Sequence, residues 1–135
     1  MRKIIKFLRD IGGIDLQGLY LDKLPDLSDV HVDCTFLCGF NNLTNLVGAP
    51  KSVGGNFNCE DNKLTSLIGA PETVGGDFNC NGNDLTSLGG IPKKIGDDWR
   101  EHSLGQFWIS KELKDRFPEE YIRSLSDIKG RVVYC

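Results

Sequence analysis

Hydrophobic and polar positions along the middle of this chain recur every 21 residues. Gly48 to Ile68 reads GAPKSVGGNFNCEDNKLTSLI, and Gly69 to Gly89 reads GAPETVGGDFNCNGNDLTSLG. The two segments align without a gap. One period earlier, Val32, Phe36, Cys38, Asn41, Leu43 and Leu46 carry the same skeleton. One period later, Ile95, Gly96 and Trp99 begin another copy, which then departs: Glu101 stands in the cysteine position and Leu104 in the asparagine position. The pattern resolves into columns. Val32, Val53, Val74 and Ile95 form one; Phe36, Phe57, Phe78 and Trp99 the next. Cys38, Cys59 and Cys80 form a third, Asn41, Asn62 and Asn83 a fourth, and two leucine columns follow. Residues recurring at a fixed interval stack above one another in a solenoid, where each turn buries its apolar face against its neighbours.

Within a unit, Phe57-x-Cys59 alternates with the period of a strand. Asn62 falls at the bend behind it, where a short amide can bond backbone groups of its own turn and the next. Leu64 and Leu67 return to the core. Pro71 and the Gly75-Gly76 pair predict a tight return on the far side. Sixteen glycines, an unusual share, are thereby explained, because most of them sit in the repeating segments.

The run Phe57-Asn58-Cys59-Glu60-Asp61-Asn62-Lys63-Leu64-Thr65-Ser66-Leu67 resembles the leucine-rich-repeat pattern L-x-L/C-x-x-N-x-L-x-x-L, and Phe78 to Leu88 repeats it. The short period resembles the compact bacterial type of that repeat. The GAP and VGGDFxC elements resemble small repeat proteins of tailed phages and bacteria. The resemblance covers residues 20–104 and implies a leucine-rich-repeat-like solenoid. Its four to five turns would hold short parallel strands and extended convex segments. The chain departs from the family in placing Phe57 four steps after Val53 and in using Phe for Leu.

An open solenoid end needs a cover. Residues 1–13, with Ile4, Ile5, Phe7, Leu8 and Ile11 at helical spacing, predict an N-terminal helical cap. Residues 14–104 are read as the solenoid and 105–135 as a C-terminal α-helical cap, all within one domain. In that cap Ser110 is the expected N-cap of a helix over Lys111 to Arg116. Pro118 is expected to start a second helix over Glu119 to Leu125. Ile128 to Tyr134 is expected to form a final strand or an extended strap.

With Phe and Cys inside, the concave surface should carry Asn56, Asp77 and Asp98 in one line, Asn58, Asn79 and Arg100 in a second, and Glu60, Asn81 and His102 in a third. Such a rigid polar face suits recognition of a protein partner there or on a flank, without a chemical step or a cofactor. The phage resemblance implies an inhibitor of a host enzyme, a toxin or a defence component, acting in the cytoplasm. Two other readings compete. Asp77, Asp98, Arg100 and His102 could serve a small enzyme or ligand-binding protein. The repeat could also be a structural, self-assembling one.

Composition narrows the choice. The net charge of −3 disfavours a nucleic-acid coat. No apolar run approaches the roughly 18 residues of a membrane span. Five cysteines without paired CxxC spacing read as free thiols in a reducing compartment, with no metal site.

Overall fold

A computed structural model describes residues 13–96 and 105–135. The chain winds as a parallel β-solenoid of about five turns. In chain order the elements are β1 (Ile14–Asp15), β2 (His31–Val32), β3 (Phe36–Leu37), β4 (Ser52–Val53), β5 (Phe57–Asn58), β6 (Thr73–Val74) and β7 (Phe78–Asn79). They continue with β8 (Lys94–Ile95), β9 (Phe107–Ile109), a 3-10 turn (Lys111–Leu113), α1 (Glu119–Leu125), β10 (Asp127–Ile128) and β11 (Val132–Tyr134). Each full turn contributes two strands, one to each of two sheets. The first sheet runs β1-β3-β5-β7-β9-β11 and the second β10-β8-β6-β4-β2, with every pairing parallel.

This revises the role of the glycine pairs. They do not mark a far-side return. They form the corner between the two strands of one turn, as in Val53-Gly54-Gly55-Asn56-Phe57. The corner is tight because successive turns touch through their backbones there. A Cβ on Gly54 would lie 2.4 Å from the Asp33 carbonyl oxygen of the turn before. At the opposite corner Gly69 takes φ +93°, and a Cβ on it would lie 2.2 Å from the Val47 nitrogen.

The expected columns form the core. Val32, Val53, Val74, Ile95, the phenylalanines, the three cysteines and the leucine pairs are buried. The rings of Phe36, Phe57 and Phe78 stack at centroid distances of 5.4 and 5.1 Å, and Phe107 follows Phe78 at 5.7 Å. Phe107 therefore holds the column place expected for Trp99. Phe78 pairs with Phe107 across 29 residues, whereas Val74 pairs with Ile95 across 21. The difference of eight residues is the segment 97–104. It enters the corner itself, between two glycines in contact: a Cβ on Gly105 would lie 2.4 Å from the Gly96 Cα. Ile95-Gly96 and Gly105-Gln106-Phe107 together spell the corner of the earlier turns.

The solenoid does not stop at residue 104. The strands β9, β10 and β11 extend both sheets to Tyr134. The last corner, Ile128-Lys129-Gly130-Arg131-Val132, keeps the same four-step spacing. Among the described residues α1 is the one α-helix, at its expected place behind Pro118. The helix expected over Lys111 to Arg116 is a single 3-10 turn, and the Ser110 side chain makes no capping bond to it. The expected N-terminal cap, apart from Gly13, lies outside the described residues.

The end of the second sheet is closed by Arg123 of α1. In earlier turns the Gly75 N–H donates to the Val53 carbonyl and the Gly76 N–H to the Gly55 carbonyl. Among the described residues β10 is the edge strand of this sheet. The Arg123 guanidinium donates instead to the carbonyls of Ile128 and Gly130, at 2.9 and 2.7 Å, and its Nε to Glu119 at 2.9 Å. One planar fork thus replaces two backbone donors of a missing turn.

Candidate polar face of the first sheet

Register places the outward residues of the first sheet in one line: Asp15, Leu37, Asn58, Asn79, Trp108 and Val133. Parallel strands lie about 4.8 Å apart, so side chains from successive turns can bond. Asn58 Nδ2 donates to Glu60 Oε1 at 3.0 Å, and Asn79 Nδ2 donates to Glu60 Oε2 at 3.3 Å. The Glu60 carboxylate is thus held by amides from two turns. The Glu60 N–H donates to Asn58 Oδ1 and the Asn81 N–H to Asn79 Oδ1, each at 2.9 Å. Ser110 Oγ donates to Asn81 Oδ1 at 3.2 Å and accepts from the Gly82 N–H at 2.8 Å. These groups are half-buried, apart from buried Ser110 and exposed Gly82. Their side chains are oriented by bonds to one another.

The sequence-predicted residues divide into three sets. Asn58, Glu60, Asn79 and Asn81 come together in this network. Asn56 and Asp77 flank it and join the turns: Asn56 Oδ1 accepts from the Asp77 N–H and Asp77 Oδ1 from the Gln106 N–H, both at 2.8 Å. Asp98, Arg100 and His102 lie outside the described residues. Their expected column places belong to Gln106, Trp108 and Ser110, because β9 pairs directly with β7. The expected in-register pair of Asp77 with Asp98 is therefore replaced by Asp77 with Gln106.

Trp108, expected within the C-terminal cap, is instead half-buried on the polar face. Gly105-Gln106-Phe107-Trp108-Ile109-Ser110 matches Gly76-Asp77-Phe78-Asn79-Cys80-Asn81 once the eight residues are set aside. That match was the available signal. The result is a flat strip in which an Asn58–Asn79 centre has Leu37 on one side and Trp108 on the other.

The cysteine column lies behind this face. Cys38, Cys59 and Cys80 are fully buried, and Cys59 Sγ and Cys80 Sγ donate to the carbonyls of Asn79 and Trp108 at 3.3 and 3.2 Å. Burial pushes the Cys38 thiol up to about 12 and raises Cys59 and Cys80 as well. Neutral thiols on one inner line are packing groups. Cys34 and Cys135 are the exposed ones. Among the described residues no three His, Cys, Asp or Glu side chains are grouped to hold a metal ion, and no helix is long and apolar enough to cross a membrane. Scans of protein-family models, curated proteins and solved structures find no match to this chain.

Proposed function

We propose that this chain is a leucine-rich-repeat-like solenoid that binds a protein partner through the outer face of its first sheet. The carrying observation is the network joining Asn58, Glu60, Asn79, Asn81 and Ser110 across three turns. A surface already ordered by its own hydrogen bonds loses little conformational freedom on binding. Trp108 beside it supplies the aromatic anchor that dominates many interfaces. Asp98, Arg100 and His102, which the sequence places between Gly96 and Gly105, remain part of the proposed contact set. The resemblance to phage repeat proteins supports an inhibitory role against a host enzyme, toxin or defence component in the host cytoplasm. Arg123, by occupying carbonyls that another turn would use, argues against end-on self-assembly.

The test compares capture by the native chain and by Trp108→Ala from a lysate of its source cells, with matched thermal melts. Loss of an anchor costs about 2 kcal/mol or more, so the partner should weaken at least about thirtyfold. A partner retained at equal affinity would refute this face as the binding surface.

A further inference from the structure

The second sheet carries a different kind of chemistry on its outer face. His31 and Ser52 are register partners on β2 and β4, so both project outward from adjacent turns. Asp33 follows His31 at the strand period and projects to the same side. The three side chains bond in series. His31 Nε2 lies 3.0 Å from Asp33 Oδ1, and His31 Nδ1 is hydrogen-bonded to Ser52 Oγ. Asp33 Oδ1 accepts from Nε2–H, which leaves Nδ1 as the acceptor for the serine hydroxyl proton. A nucleophile, a base and a group that orients the base therefore stand in sequence.

Ser52 opens onto a groove of about 160 Å³. Its lining includes Gly54 and Gly75, which add no side chains, and Thr73 and Lys94, which continue the outward column one and two turns on. At roughly 30 Å³ per water, the space equals about five waters. That admits a short acyl group. Thr73, the register partner of Ser52 on the next turn, brings a second hydroxyl-bearing side chain to the same groove.

We propose that Ser52 is a nucleophilic serine that takes the acyl group of small esters, with His31 as its base and Asp33 as a positioning residue. Ser52 Oγ bonds to the ester carbonyl carbon while its proton passes to His31 Nδ1. The bond from that carbon to the alcohol oxygen then breaks, and the imidazolium returns the proton to the leaving alcohol. Water, deprotonated by the same nitrogen, releases the acyl group as a carboxylic acid and restores Ser52. No oxidant, reductant or metal enters the balance.

The probe is p-nitrophenyl acetate, added to the full chain, with nitrophenol release and peptide mass mapping as readouts. One acetyl group should map to Ser52, and Ser52→Ala should abolish both the adduct and the release above background. His31→Gln and His31→Asn should each slow acylation by about 100-fold, the usual worth of a positioned base. Asp33→Asn should give a smaller loss. These side chains are largely exposed at His31 and Asp33 (52% and 67%), so thermal melts of the variants should overlay the parent. Three results would each overturn the proposal: no adduct, acetylation confined to lysines, or release unchanged in Ser52→Ala.

Discussion

Asn62→Ala should destabilise the fold by about 3–5 kcal/mol, since each buried polar group left without a partner costs about 1–3 kcal/mol. Asn62 is buried at the bend behind β5 and binds two turns together. Its Oδ1 accepts from the Leu43 N–H at 3.0 Å, and its Nδ2 donates to the carbonyls of Cys38 and Cys59, both at 3.1 Å. Asn83 repeats the arrangement one turn on, with the Leu64 N–H and the Cys59 and Cys80 carbonyls. Alanine removes the side-chain amide and leaves the Leu43 N–H and the Cys38 carbonyl without these bonds in a space closed to water. Asn62→Asp should not rescue, because a carboxylate cannot donate to either carbonyl. Urea denaturation checks both variants. The midpoint should fall with little change in slope. A loss under about 1 kcal/mol would show that the bend holds without the amide.

Phe57→Ala should cost a similar amount, about 3–5 kcal/mol, as measured for large aromatic truncations in cores. Phe57 is 1% exposed and stacks between Phe36 and Phe78, with ring planes inclined by 12° and 7°. Its removal opens a cavity in the middle of a column and strips a ring contact from each neighbour. Those neighbours cannot close the gap, because their backbones are spaced by the sheet. Phe57→Ala combined with Phe78→Ala should therefore depart from additivity, as contacting residues do. Calorimetric or urea melts of the single and double variants read that difference. Equal and additive losses would mean that the rings pack independently.

How much of this was legible in the sequence depends on how each residue type is used. Columns of Val, Phe, Cys, Asn and Leu revealed the stacking, because a buried position in a repeating turn tolerates few alternatives. The second sheet was harder to read. Its strands are two residues long, and one of those two, as in Ser52–Val53 or Thr73–Val74, is a polar outward residue. Only a single apolar residue per turn marks it, too short for any period. Gly54-Gly55 was recognised as a turn, but sequence alone does not tell a corner between two strands from a far-side return. The last turns were misread for a different reason. The segment 97–104 splits a glycine pair, so spacing continued from Ile95 lands on Trp99 instead of Phe107. Val132-Val133-Tyr134 lacks the Phe-x-Cys signature and was read as part of a cap.

The polar face was legible in composition and not in geometry. Asn58, Glu60, Asn79 and Asn81 were picked out because they alternate with buried Phe and Cys. Their mutual hydrogen bonds follow from the strand spacing, which the period implies. The neighbouring Trp108 did not follow, since its placement needs the register of β9. His31, Ser52 and Asp33 escaped for the same reason. They are 21 residues apart or on a strand too short to notice, and only the second sheet joins them.

Placing β9 beside β7 requires the coil to be continuous across the split corner. The direct measurement is excision of residues 97–104, which joins Gly96 to Gly105 and restores the corner as Ile-Gly-Gly-Gln-Phe. The shortened chain should give the parent's circular dichroism and, from urea denaturation, an unfolding free energy within about 1 kcal/mol of it, the scale of a benign surface change. A chain that loses its cooperative transition on excision would contradict the register that places Phe107 behind Phe78.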